Sequence, residues 1–266
     1  MTDGNAMHKI MIEGQEVQKV VFPNVVPKDA RPIVKYDIPE LQPNVCFILE
    51  NVLSPSECKH MINEGERIGF GDLQYYSRKY RDNQRILVHK NSTLASNYLA
   101  APKGNWSLLG LNELWRLCKY TENGKFAAHF DGLYVKDKIT RSFLTFMIYL
   151  NGDVDGGNTR FLSANIERAY GKVIARVEPK VGSVLVFQHD LYHDGDVVKS
   201  GLKYIIRSDV MYQLEDQNVA KEKLAIEREA REILNQAIEA EKNDPNLSIL
   251  LYKKAFRMCP DLEKIV

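Results

Sequence analysis

Two histidine-containing stretches carry residues that could hold a metal. The first is "AAHFDG" (127–132), in which His129 and Asp131 stand two positions apart among small and apolar residues. On a strand, residues i and i+2 point to the same side, so both side chains would converge on one point. Two histidines and one carboxylate on one face of an ion form the facial set of non-heme Fe(II) sites, which leaves positions open for a co-substrate and O2. The third ligand must come from a distant segment. His8 falls in a proline-rich arm, His60 in a helical pattern and His89 among polar residues. His189 and His193 both follow the apolar run Ser183–Phe187. His193, just before a glycine-containing connection and another strand, is the better placed; His189 reads as a loop or supporting residue.

Ten residues past His193, Lys203 opens "KYIIRSDVMY", and Arg207 lies four further along, on the same face of a strand. Cations buried on a strand are costly without a partner. A dicarboxylate would supply one: 2-oxoglutarate could chelate iron through its 2-oxo and C1 carboxylate oxygens while its distal carboxylate meets Lys203. The alternative left open by these residues is that both cations face solvent at a sheet edge. Asp209, two past Arg207, offers a plain salt bridge to it.

These residues need a scaffold, and the chain between about 117 and 213 reads as strands and turns. "RSFLTFMIYLN" (141–151) alternates, with Phe143, Thr145, Met147 and Tyr149 on one face. "VDGGNTRFL" (154–162) is a turn entering a strand, its Gly156 and Gly157 suited to positive φ. "RVEPKVGSVLVFQHD" (176–190) and "LKYIIRSDVMYQL" (202–214) supply two more strands. Short strands at this spacing imply an antiparallel sandwich or barrel. Upstream, five of the ten prolines fall in residues 1–44, which read as an extended arm unable to hold a long helix. Val45–Leu49 reads as a strand, followed by a helix capped by Ser54 or Ser56, striped with Cys58, Met61, Ile62 and Ile68, and ended near Gly69 and Gly71. "NSTLASNYLAAP" and "SLLGLNELWRLCKY" read as one or two further helices. After Leu214 the chain lacks glycine and its charges alternate in sign. Two amphipathic helices broken at Asn243-Asp244-Pro245 form a C-terminal helical hairpin. Its "YKKAFRMCPDLE" end looks like a tetratricopeptide-type closing helix, but a single unit is not an array.

Composition bounds the function. The 266 residues are 44% hydrophobic and 27% charged with a formal net charge of +1, which gives no electrostatic footprint for nucleic acid. No stretch approaches the roughly 18 apolar residues of a membrane span, and the N-terminus lacks a signal-peptide core. Four scattered cysteines without a CxxC pair fit a reduced, cytoplasmic protein.

Three segments, "CKYTENGKFAAHFDG", "RSFLTFMIYLNGDVDGGNTRFL" and "VEPKVGSVLVFQHDLYHDGDVVKSGLKYIIRSDVMY", together resemble the core of an Fe(II)/2-oxoglutarate-dependent dioxygenase of the prolyl 4-hydroxylase superfamily. The ordered elements are Tyr, His-x-Asp, Arg…Thr…Tyr-Leu-Asn, Gly-Gly-x-Thr-x-Phe, Pro-x-x-Gly, His, and a basic residue about ten further on. The resemblance implies a mainly β fold with flanking helices, in which a double-stranded β-helix (jelly-roll) core spans about 117–213. It sits within a dioxygenase domain of residues 45–215, preceded by the arm of 1–44 and followed by the hairpin of 216–266. It implies that His129, Asp131 and His193 bind Fe(II), that Lys203 binds the distal carboxylate of 2-oxoglutarate, and that Tyr120, Thr145 and Tyr149 line the co-substrate pocket. Arg207 departs from the family pattern, where a small or hydroxyl residue is common, so it could share or take over the carboxylate contact. The implied reaction consumes O2 and 2-oxoglutarate, hydroxylates a C–H bond and releases succinate and CO2, with ascorbate as a reductant that would keep the iron Fe(II). A prolyl residue of a peptide or protein is the implied substrate. A free amino acid or small metabolite is the second choice, and a catalytically decayed module binding a partner through its C-terminal helices is the rival. Residues 216–266 could also serve a protein partner or self-association. "YYSRKYRDNQR" (75–85), with Arg78, Lys79, Arg81 and Arg85 among tyrosines, is either a solvated loop or a substrate-contacting lid. Phe130, facing away from the metal, is expected to pack in the core.

Overall fold

The computed structural model describes residues 11–12, 15–19, 31–73, 75–89, 99, 105–163, 171–215 and 217–264. The chain divides into two units: one of residues 1–100, 109–133 and 142–211, the other of 101–108, 134–141 and 212–266.

In the first unit, period-2 alternation builds two sheets. Strands of the larger run in the order Met11–Ile12, Gln15–Lys19, Gln84–His89, Leu114–Tyr120, Lys203–Leu214, Thr140–Tyr149, Val184–Gln188, Cys46–Glu50 and Val34–Asp37. The smaller has the order Val173–Val177, Thr159–Leu162, His193–Gly195, Lys125–His129 and Arg81–Asp82. Pairing is antiparallel throughout the smaller sheet. One apolar core joins the inner faces: Tyr120, Met147, Leu185, Phe187 and Ile205 from the larger sheet meet Phe161, Ala175 and Val177 from the smaller. Two sheets, antiparallel but for the pairing of Gln15–Lys19 with Gln84–His89, with a shared core and strands that cross between them make a jelly roll.

The turns that set the register follow from local chemistry. Ser54 caps the helix Pro55–Ile68 in a reciprocal capping box with Glu57, Pro55 stands at its first turn, and Gly69 at φ 91° ends it. The buried stripe is Cys58, Met61 and Gly65. Gly182 sits at φ 73°, and a Cβ there would lie 1.9 Å from the Leu53 carbonyl oxygen. That close approach, with Val52 N and Leu53 N donating to Gly182 O at 3.1 Å, starts the Val184–Gln188 strand in a fixed place.

One expectation is overturned. "SLLGLNELWRLCKY" forms the strands Trp106–Leu111 and Leu114–Tyr120, not a helix. Its leucines happen to recur at helical spacing, but Leu114–Tyr120 is hydrogen-bonded on both sides, to Gln84–His89 and to Lys203–Leu214, and these long-range ladders override the local pattern. Gly110, at φ 129°, also breaks a helix there. The companion stretch "NSTLASNYLAAP" lies outside the described residues except Leu99. Within residues 1–44, Gln15–Lys19 pairs parallel with Gln84–His89, and Val34–Asp37 pairs antiparallel with Cys46–Glu50.

The second unit contains the helical hairpin Gln217–Ala240 and Pro245–Met258. Asp244 accepts a hydrogen bond from Leu247 N at 3.0 Å, capping the second helix beside Pro245. Ala230, Ile233, Leu234, Ala237, Ala255, Cys259 and Leu262 form its core. Leu224, Ile238, Leu247 and Leu250, which the helical spacing also places on the apolar stripe, are exposed. No helix among the described residues is long and apolar enough to cross a membrane.

Candidate metal centre

Strand pairing brings the two histidines together. His129 ends the strand Lys125–His129 and is the cross-strand partner of His193, which opens His193–Gly195. Their ring centroids are 4.3 Å apart. Asp131 is not on a strand; it follows the strand end, and its backbone N–H donates to His189 O at 3.0 Å, which turns the carboxylate toward the histidines. One donor atom from each of His129, Asp131 and His193 lies within 4.8 Å of the others.

Both imidazoles are oriented for ligation. His129 Nδ1 donates to Ala127 O and His193 Nδ1 to Leu191 O, each at 2.8 Å. A carbonyl only accepts, so each Nδ1 carries the proton and each Nε2 presents its lone pair. The Nε2 atoms lie 3.6 Å (His129) and 3.7 Å (His193) from the Asp131 carboxylate oxygens. Burial pushes the His193 pKa down to about 4, which keeps it neutral near pH 7. Burial alone would raise the pKa of Asp131, but the Arg207 guanidinium, helped by His129, His193 and Thr145, holds it well below the usual carboxylate range. Two imidazole nitrogens and one ionised carboxylate are a donor set that fits Fe(II).

The cations divide their partners unevenly. Arg207 Nη2 lies 2.9 Å from Asp131 Oδ1 and 3.3 Å from Asp209 Oδ1. Arg116 Nη1 is 3.5 Å from Asp209 Oδ2. Thr145 Oγ1 donates to the other Asp131 oxygen at 2.5 Å. Lys203, cross-strand from Tyr120, is 3% exposed, and its Nζ donates to Gly157 O at 2.5 Å. Its ammonium sits 5.4 Å from the centroid of the Tyr120 ring and 5.7 Å from that of Tyr149. No carboxylate among the described residues forms an ion pair with it, and burial pulls its pKa down to about 8.

A single pocket is lined by His129, Asp131, His193, Tyr120, Thr145, Lys203 and Arg207. Tyr149 does not line it: fully buried, its hydroxyl bonds Thr159 Oγ1 at 2.7 Å beneath Lys203. Burial raises both tyrosine pKa values, so these phenols stay protonated. His189 is a buried neighbour, its Nε2 3.8 Å from Asp209 Oδ1. Phe130 is not in the core; it is 53% exposed and packs on Tyr192 with ring centroids 4.9 Å apart. The reason is that the strand stops at His129, so the alternation that would send Phe130 inward ends there. Arg81 and Phe126, not singled out by spacing, also line the pocket. The hint lay in the cation-rich stretch 75–85, of which Arg81 is buried while Arg78 and Lys79 are exposed.

The family model described as the 2OG-Fe(II) oxygenase superfamily matches residues 115–208. That stretch is a 2OG-Fe(II) oxygenase domain. It carries every pocket residue named above except Arg81, and the protein is a 2-oxoglutarate-dependent dioxygenase whose cofactors are Fe(II) and 2-oxoglutarate. Among solved structures, the oxygenase is similar to a viral collagen prolyl hydroxylase from Paramecium Bursaria Chlorella virus-1 at 20% identity, over 63% of this chain and 96% of that one, with a TM-score of 0.43. It is similar to a Pseudomonas putida prolyl-4-hydroxylase at 18% identity, over 65% and 95%, with a TM-score of 0.46. It is similar to a Trichoplax adhaerens prolyl hydroxylase, solved with a hypoxia inducible factor peptide fragment, at 17% identity, over 68% and 89%, with a TM-score of 0.49. No curated protein matches the sequence.

Proposed function

We propose that His129, Asp131 and His193 hold the Fe(II), that Lys203 anchors the distal carboxylate of 2-oxoglutarate, and that the enzyme hydroxylates a C–H bond of a prolyl residue in a peptide or protein. The observation that carries the metal assignment is the convergence of the three donor atoms within 4.8 Å, with both Nε2 lone pairs free of a backbone partner. When bound, Fe(II) and 2-oxoglutarate supply the oxidising chemistry, releasing succinate and CO2.

The chain's own residues then have defined tasks. Arg207 and Thr145 fix the two oxygens of Asp131, so the carboxylate stays ionised and oriented. Lys203, desolvated over two aromatic rings, gives one end of a dicarboxylate a partner where water cannot compete. Tyr120 and Thr145 border the same space, and Tyr149 supports it from below. No general base is required of the protein. Its contribution is orientation and exclusion of water.

A free amino acid or other small metabolite is a second reading of the substrate, favoured by an additional buried cation, Arg81, in the pocket. Residues 216–266 are proposed to serve a protein partner or self-association, supported by the exposed Leu247, Ile249 and Leu250. The test of the enzyme reading is succinate formation with Fe(II) and 2-oxoglutarate, combined with a search of peptide and metabolite panels for the mass gain of one oxygen atom. Turnover is expected for the wild type and not for His129→Ala. Equal background turnover by the two, with no metal bound by either, would leave a decayed binding module as the surviving reading.

A further inference from the structure

Arg81 is a cation of this pocket that neither the metal nor the co-substrate occupies. It stands on the edge strand Arg81–Asp82, opposite Phe126 on the strand that carries His129, and is 9% exposed. Its Nε donates to Asn83 Oδ1 at 2.9 Å. The guanidinium lies 4.3 Å from the centroid of the Phe126 ring and 5.4 Å from that of Tyr76, and it lines the same pocket as the Tyr120 phenol. Phe126 in turn stacks on the His129 imidazole with centroids 3.7 Å apart. The planar fork is therefore fixed on two aromatic faces, one ring away from a proposed metal ligand.

Other arginines in the same sheets hold carboxylates. Arg160 pairs with Asp194 at 2.6 Å and with Asp196 at 3.0 Å, and Arg207 pairs with Asp131 and Asp209. No carboxylate among the described residues forms an ion pair with Arg81. A buried guanidinium whose neighbours are an amide, a phenol and two aromatic rings is stacked and oriented but not neutralised. The proposed reading gives the two ends of 2-oxoglutarate to the metal and to Lys203, so an anion at Arg81 must come from elsewhere.

We infer that Arg81 is the seat of a carboxylate on the oxidised substrate, which makes the substrate an acid at a position close to the C–H bond that reacts. The inference rests on the assignment of Lys203 to 2-oxoglutarate. The carboxylate has two sources, the α-carboxylate of a free amino acid or the side chain of an Asp or Glu next to the target residue in a peptide. Arg suits either, because its fork donates two parallel hydrogen bonds to the two oxygens of one carboxylate.

The test uses the full chain with Zn(II), a redox-silent stand-in for Fe(II), and 2-oxoglutarate. Calorimetric titration compares free L-amino acids, L-proline among them, with their carboxamides. A second arm compares prolyl peptides flanked by Asp or Glu with the same peptides flanked by Asn or Gln. In the wild type at least one acid is expected to bind about tenfold to a hundredfold tighter than its amide, the range of a charge-assisted hydrogen bond. Arg81→Gln should erase that ratio, and Arg81→Lys, which keeps the charge without the fork, should retain part of it. The arm that shows the ratio identifies the source. Absence of acid-over-amide preference in both arms overturns the inference. So does a loss of 2-oxoglutarate affinity in Arg81→Gln with the ratio intact, which would move Arg81 to the co-substrate. Zn(II) and 2-oxoglutarate affinities, measured separately on Arg81→Gln and on Lys203→Met, tell failure of this inference from failure of the metal and co-substrate assignment.

Discussion

Lys203→Met should make the metal-free protein more stable while removing its hold on 2-oxoglutarate. Lys203 is 3% exposed, its Nζ donates to Gly157 O, and burial lowers its pKa from 10.5 to about 8. That depression corresponds to about 3 kcal/mol of disfavour for the charged form in the fold. The sign follows from linkage. Below pH 8 the lysine is charged in both folded and unfolded chains, and the full cost is present. Between pH 8 and 10.5 the unfolded chain holds the proton more tightly than the folded one, so stability rises with pH. Methionine is a flexible, unbranched replacement for the lysine stem and carries no charge. At pH 7 the metal-free variant should therefore gain up to about 3 kcal/mol, less the lost hydrogen bond of about 1 kcal/mol. It should also lose the rise in stability above pH 8. Urea unfolding followed by fluorescence reads this, with Trp115, 1% exposed on the neighbouring strand, as a reporter. Calorimetry with Mn(II) present should show 2-oxoglutarate binding weakened by about a hundredfold, since a desolvated carboxylate loses its charged partner. In the wild type the same affinity should fall as pH rises past 8 and Lys203 becomes neutral. A variant less stable than the wild type at pH 7, with 2-oxoglutarate affinity unchanged, would refute the assignment of a buried, unneutralised anchor.

Arg207→Met leaves Asp131 and Asp209 without their shared guanidinium, so it should destabilise the fold by about 3–5 kcal/mol. Mn(II) binding, read by electron paramagnetic resonance, should weaken at least about tenfold, as expected for loss of a residue that orients a ligand; wild-type metal affinity would show that Asp131 needs no clamp. Gly157→Ala places a Cβ 3.1 Å from Lys203 Cδ at a residue with φ 64°. It should cost about 1–3 kcal/mol of stability and raise the KM for 2-oxoglutarate more than it weakens Mn(II); the reverse order would dissociate this turn from the anchor.

What could be read from the sequence was local. The Ser54 cap, the Gly69 stop, the Gly156-Gly157 turn and the Pro245 break each depend on neighbours within a few residues, and the structure shows each of them. The register that sets His193 opposite His129 is a contact between residues far apart in the chain, and only the ordered spacing of family-like residues pointed to it. "SLLGLNELWRLCKY" departs from its helical pattern for the same reason: the two ladders that flank its second strand come from residues 84–89 and 203–214. Phe130 departs from the expected core position because the strand, and with it the alternation, ends at His129.

The cations show the limit most directly. Lys203, Arg207 and Arg81 all border the pocket, and type and spacing could not say which would meet a carboxylate ligand. Their pairing separates them. Arg207 is neutralised twice within the protein, by Asp131 and Asp209, so it acts on the ligand set from behind. No carboxylate among the described residues forms an ion pair with Lys203 or Arg81, and each is held against aromatic rings. A stacked cation is oriented but keeps most of its charge to offer. Arg207 shares the strand face of Lys203 and differs from it by two neighbouring aspartates, one of which exists to serve the proposed metal site. The departure from the family pattern at Arg207 thus reads as support for Asp131, which is why the proposal gives the co-substrate's distal carboxylate to Lys203.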